Sequence, residues 1–470
     1  MLCGIDFGTR NTAIIKGQRR VMGSDGSTVP SFVAYSRTGL PRRIGNAAKV
    51  LLDNPAESLD WDVRRSFKLR LPESDGSPNC IATSVTADFL GDVLRLPSAG
   101  PTPVTGAVMA IPVAWSAAAR RALRVAAGRA GVDLKGFVSE STAAFARYRA
   151  QFGEVNEVAV FDWGAGTLDI SVLRIRGGSH GTASIEELHC ANSDSAGDVV
   201  DGLLAQRIHK ELQRMDHALP PWTEVDRDEQ TRLCHQAEFV KIALSDSTID
   251  SMPVSLAEYC GKRRAVNISA REFEDAIRPV IEGALDVLFA ALLRAGTSAP
   301  RLDAVLVVGG CSKLRGFDRL MREQFGSRLA ISPDSEWAVA EGAQQIAEAG
   351  DGCYACVQEF CLVLSDGLAL PLTAPRAPFD GRATTHVVGK VDGANVASLV
   401  FGERAQGTSG DARSIGGLAI PSQGLPGEPI EVSATLDPDL FLRIRAGTLL
   451  GNGRDVRTFE YPSTRFEYHL

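Results

Sequence analysis

The chain has 470 residues, too many for a single hydrophobic core, so two or three domains are expected. Its formal charge of −7 speaks against nucleic acid or an anionic membrane surface as the main partner. No apolar run is long enough to span a bilayer and no basic leader precedes the first strand, so a cytoplasmic protein is expected.

In chain order, Cys3 to Ile15 (CGIDFGTRNTAII) reads as a strand ending at Asp6, a turn of small residues with Gly8 and Thr9, and a second strand. SDGSTVPSFVAY then gives a turn and a strand. Asp60 to Leu71 is mixed basic and apolar. By residue type its Lys68 is an exposed lysine in a solvated run, although one such lysine could place positive charge at a γ-phosphate. Gly106 to Pro112 is a buried strand, and Ser116 to Gly128 a helix with a serine cap, in which Arg120 and Arg121 could be plain helix charges. Ser139-Glu140-Ser141-Thr142 opens a further helix, either as a simple cap or with Glu140 as a carboxylate that orients water.

Val158 to Leu173 (VAVFDWGAGTLDISVL) repeats the first device. Apolar strands flank the small turn Gly164-Ala165-Gly166-Thr167, with Asp162 before it and Asp169 after it. Bare backbone N–H groups beside carboxylates suit nucleotide phosphates with a hard cation, and two such turns a domain apart could clamp one triphosphate. A strand and loop then lead to Gly197 and a helix beginning near Asp198. Gln230 to Ser245 is an amphipathic helix presenting Glu238, Lys241 and Ser245 at helical spacing, a pattern that ordinarily faces solvent. Ser269 to Arg294 is a long helix. LDAVLVVGGCSKLRG (302–316) is a buried strand followed by Gly309-Gly310, and 332–348 a closing loop and helix. From Cys361 onward the texture is short alternating strands between Gly, Pro and Asp turns, an all-β domain. The nine cysteines are scattered, as suits reduced thiols, and Cys353-Tyr-Ala-Cys356 with Cys361 lacks the second pair of a zinc site.

The order of these features resembles the Hsp70 (DnaK-type) chaperones. GIDFGTRNT is similar to the family's first phosphate motif, IPVAWSAAARRALRVAAGRAGVDLKGFVSESTAA to its connecting segment and VFDWGAGTLDISV to its second phosphate motif. SAGDVVD, AEFVKIALS, LVVGGCSKLRG and SPDSEWAVAEGA follow in the family's order. The resemblance implies an α/β actin/hexokinase-like ATPase with two lobes over residues 1–349, a linker over 350–365, and an all-β sandwich domain for substrate over 366–470. Helical lid and acidic tail are not expected, since the chain stops at Leu470.

The resemblance also implies the site. Asp6 and Asp162 would hold Mg2+ through water, and Lys68, Glu140, Asp162 and Thr167 would carry catalysis, with Asp169 supporting the second hairpin. Gly8, Thr9, Arg10, Gly164, Ala165 and Gly166 would wrap the phosphates of ATP or ADP, and Gly197 and Asp198 would approach from the opposite lobe. Glu238, Lys241 and Ser245 would line the adenosine pocket, with Gly309, Gly310 and Lys313 across from them and Asp334 near the ribose or base. Pro112 and Arg120 match the pair that signals nucleotide state to the peptide domain. Partners would be an extended peptide or a specific client protein, a J-domain co-chaperone and a nucleotide exchange factor.

Four positions depart from the pattern. Arg10 replaces a small hydroxyl residue, Ala165 a glycine, where it disfavours positive φ, Ile242 a basic residue that stacks on adenine, and Cys311 a hydroxyl. They motivate a rival reading, a non-hydrolysing scaffold that uses its all-β domain for fixed docking. A sugar or acetate kinase of the same superfold is disfavoured by the all-β C-terminal part.

Overall fold

The computed structural model describes residues 1–53, 57, 59–71, 80–112, 115–152, 154–177, 184–350, 353–405, 412–450, 455–462 and 464–469. Residues 113–114 of the connecting segment and 351–352 of the expected linker lie outside them.

The first half opens with the hairpin β1 (Leu2–Phe7) and β2 (Asn11–Lys16), extended by β3 (Arg19–Val21) and β4 (Val29–Pro30). A small sheet follows, of β5 (Phe32–Ser36), β6 (Arg43–Ile44) and β7 (Trp61–Arg65), with α1 (Asn46–Lys49) beside it. After α2 (Ile81–Val93), β8 (Gly106–Ile111) pairs parallel to β1, and α3 (Ala117–Arg129) crosses to β9 (Leu134–Ser139), parallel to β8. Burial on both faces explains why β8 reads as a continuous apolar run. Ser139 caps α4 (Glu140–Tyr148), its Oγ accepting from the Thr142 N–H.

The second half repeats the plan. β10 (Glu157–Trp163) and β11 (Leu168–Arg176) form a hairpin, β12 (Ser184–Ser193) extends it, and α5 (Gly197–Met215) and α6 (Arg227–Ser245) follow. After the hairpin β13 (Ser251–Tyr259) and β14 (Lys262–Ser269) comes α7 (Ala270–Arg294), started by a capping box in which Ser269 and Glu272 bond each other's backbone N–H. β15 (Ala304–Val308) then pairs parallel to β10 as β8 does to β1, ahead of α8 (Phe317–Phe325), β16 (Leu329–Ile331) and α9 (Ala338–Ala349). α4 and α9 lie between the halves, in one apolar cluster with Val108, Val138, Val160 and Leu306. No helix among the described residues is long and apolar enough to cross a membrane.

The stretch expected as a linker is largely strand, β17 (Cys353–Cys356) and β18 (Gln358–Val363). β19 (Ala369–Pro371), β20 (Ala383–Gly389), β21 (Val396–Ala405), β22 (Arg413–Pro421), β23 (Pro429–Asp437), β24 (Phe441–Thr448) and β25 (Arg457–Tyr461) complete two four-stranded antiparallel sheets, ordered β19-β18-β21-β22 and β20-β23-β24-β25. The last strand, β26 (Phe466–His469), leaves these sheets. It inserts between β12 and β17 in the sheet of the second half, with Tyr468 opposite both Ile185 and Tyr354.

The all-β part is also held by side chains of α3. Arg120, almost wholly buried, donates from one guanidinium nitrogen to the Asp439 carbonyl at 2.9 Å and to the Leu440 carbonyl, and Thr464 Oγ1 donates to that same Leu440 oxygen at 2.7 Å. Arg124 pairs with Asp439 and Arg121 with Glu460. Arg121 and Arg124 are thus interface charges, and Arg120 is not a plain helix charge. Phe466 packs edge-on against Tyr354 at 4.9 Å and Phe379 at 6.4 Å. Phe466→Ala is therefore expected to cost about 3–5 kcal/mol in chemical denaturation, and a loss below about 1 kcal/mol would show that this strand is peripheral to the fold.

Candidate functional site

The two small-residue turns meet face to face. A Cβ built on Gly166 would lie 2.9 Å from the Thr9 side chain, and one on Gly309, at φ +85°, would lie 2.5 Å from the Trp163 carbonyl. Glycine at these positions lets the turns and the end of β15 close around one space. Neither Gly164, Ala165 nor Gly166 has positive φ, so alanine at 165 carries no strain, contrary to expectation. The start of α5 buttresses this turn: the Gly197 and Asp198 N–H groups donate to the Gly164 and Ala165 carbonyls at 3.2 and 2.7 Å. Cys311 donates its thiol to Gly164 O at 3.0 Å, taking over a hydroxyl's donor role, and burial pushes that thiol up to about 12.

Between the turns lies a cavity of about 340 Å³. Asp6, Gly8, Thr9, Arg10, Lys68, Glu140, Asp162, Gly164, Ala165, Gly166, Thr167 and Asp169 line one part of it. Glu238, Lys241, Ser245, Gly309, Gly310 and Lys313 line the rest. Gly197, Asp198 and Asp334 do not line it.

Lys68 is buried, not the exposed lysine that residue type suggests. Phe67 packs on Phe7 and Phe89 with ring centroids 5.8 and 5.6 Å apart, and Ser66 takes a left-handed φ of 54°, so the short turn Phe67–Arg70 delivers its lysine to the cavity floor. There Lys68 Nζ donates to Glu140 Oε1 at 2.8 Å and stands 5.5 Å from the Trp115 ring. Burial works against its charge, but Glu140 and Asp6 outweigh it and raise the ammonium pKa.

Asp6 and Asp162 end the two central parallel strands, and Asp169 opens β11. Burial, then repulsion from Glu140, pushes Asp6 up to about 7, and Asp169 likewise, while Thr167 bonds Asp169 and opposes its shift. Asp162 is raised further by the same causes. Four carboxyl groups thus face one lysine, an excess of acidic groups over basic ones in a buried pocket.

On the opposite wall, the Glu238, Lys241 and Ser245 stripe faces the cavity and not solvent. Glu238 pairs with Lys49 at 3.1 Å, Lys241 with Asp201 at 2.8 Å, and Lys313 with Glu336 at 2.7 Å. Ile242 is largely exposed along this wall. Arg10 reaches across to α5 and donates Nε to Asp198 Oδ1 at 2.8 Å. Burial opposes its charge, but Asp198, Glu238 and Asp201 raise its pKa. Asp334 stands at the rim, paired with Arg20 at 3.0 Å. The neighbouring Ser335, missed by sequence reasoning, lines the cavity with a buried hydroxyl that has no protein partner among the described residues. Its adjacency to Asp334 was the available signal.

A family model described as Hsp70 protein matches residues 64–375, well over half of the chain. The chain belongs to the Hsp70 family. An Hsp70 has a chaperone-type nucleotide-binding function, with ATP or ADP and Mg2+ as its ligands. The residues present fit that set: the Asp6 and Asp162 carboxyls are hard oxygen donors in the cavity that both small-residue turns line, and a bound cation would relieve the crowding that raises their pKa values.

The raised carboxylates give a pH signature in this Hsp70. A native pKa near 7, against an ordinary value of 3.8, means the native state binds more protons, so stability falls as pH rises from about 4 to 7 and stays reduced above it. Without Mg2+, Asp6→Asn should therefore gain Tm over the parent progressively from pH 5 to pH 8. A pH-independent difference in thermal melts would refute the assignment.

Proposed function

We propose that the protein is a slow ATPase of the Hsp70 type that couples nucleotide state to binding of an extended peptide or a specific client. Residues 1–349 would be the two-lobed nucleotide-binding domain, 350–365 the linker and 366–470 a β-sandwich substrate domain. The buried Lys68–Glu140 pair, 2.8 Å apart on the floor of the cavity between the glycine turns, carries this reading.

The chemistry would be positioning and charge stabilisation rather than covalent catalysis. Backbone N–H groups of the two turns and the Thr9 and Thr167 hydroxyls would orient the phosphates. Lys68 would meet the charge developing on the γ-phosphoryl group, and Glu140 would orient the attacking water and take its proton. Mg2+, held by Asp6 and Asp162 through water, would supply neutralisation of phosphate charge. Ser335, Lys313, Glu238, Lys241 and Ser245 would bind the nucleoside. A J-domain co-chaperone, a nucleotide exchange factor and a cytoplasmic setting belong to the same proposal.

The Arg10–Asp198 bridge favours the second reading, a scaffold that holds nucleotide without hydrolysing it, because it occupies the guanidinium beside the phosphate turn. Single-turnover hydrolysis of Mg-ATP separates the two. Lys68→Ala should lower the rate about 100-fold with little change in ATP affinity, whereas turnover indistinguishable from a protein-free blank in the parent would leave the scaffold. Arg10→Thr should raise hydrolysis severalfold and ATP affinity less. An unchanged rate would show the position to be neutral.

A further inference from the structure

The pairing of β11 with β12 slips by one residue: Leu173 lies opposite Glu187 but Val172 opposite His189, leaving Leu188 as the extra residue of a bulge. In a regular strand Glu187 and Cys190 would point to opposite faces. The bulge turns them to the same side, and the Cys190 thiol donates to Glu187 Oε2 at 3.5 Å. Glu187 is only 4% exposed. Its Oε1 accepts from Ser139 Oγ and from Thr142 Oγ1, the latter at 3.0 Å.

Those two hydroxyls belong to the cap and first turn of α4, whose first residue is Glu140. The serine cap already satisfies the Thr142 N–H, so the turn has no need of a buried carboxylate to form. A carboxylate whose partners among the described residues are two hydroxyls and a thiol is costly to bury, and burial pushes its pKa up. Its position explains the expense: from the bulge in β12 it grips the first turn of α4.

We propose that Glu187 is a positioning residue for ATP hydrolysis, fixing the first turn of α4 so that Glu140 meets Lys68. This rests on the ATPase reading above. The rival is a local stabiliser of the helix start, and charge separates the two, because glutamine keeps the shape and the acceptor oxygen but not the charge.

The test compares the full-length parent and Glu187→Gln by single-turnover hydrolysis, ATP titration and thermal melting. Glu187→Gln should keep its Tm and ATP affinity yet hydrolyse about tenfold more slowly. A Glu187→Gln rate equal to the parent's, or a loss of rate that comes with an equal loss of thermal stability, would overturn the assignment while leaving the ATPase reading intact. A parent that never turns over ATP would remove both.

Discussion

Four carboxylates crowd around one buried ammonium where the halves of the nucleotide-binding part meet, and much of the architecture serves that concentration of charge. Asp6 and Asp162 sit at corresponding ends of two parallel strand pairs, and each is followed by a hairpin turn small enough to touch the other. Lys68 and Glu140 come from a short turn and a helix start that the repeat itself does not supply. Lys68 compensates only part of the negative charge, which leaves the pocket poised for cations and for phosphates that bring their own.

Such a site needs a rigid frame, since misplaced buried charges lose their partners at high cost. α4 and α9 provide it by packing between the two sheets. The cleft is then bridged nearer the surface by Arg10–Asp198, Lys49–Glu238 and Arg20–Asp334. These bridges are more exposed than Lys68–Glu140 and correspondingly weaker.

The same frame meets the all-β part. The Leu440 carbonyl receives Arg120 from the first half and Thr464 from the C-terminal arm, and β26 lies between β12 and β17 in the second half's sheet. Docking therefore involves backbone ladders as well as side chains. Any signal that moved the all-β part would have to disturb β17, β26 and the buried Arg120 together.

The two Asp-turn-strand hairpins, the serine caps at 116 and 139 and the alternating strands of the C-terminal part were legible in the sequence. Each depends on interactions between near neighbours: turn chemistry, periodicity and capping. Lys68 was not, because its burial follows from Phe67 packing on Phe7 and Phe89, contacts that no local pattern reveals. The Glu238 stripe looked solvent-facing for the same reason, and Ser335 rather than Asp334 enters the cavity because of how the loop before α9 lies against Gly309. The bulge that aims Glu187 and the joining of β26 to a sheet that begins far back in the chain, at Glu157, arise from strand register and long-range pairing. Those were decided only when the whole chain packed, since four-residue strands carry too little information to name their partners.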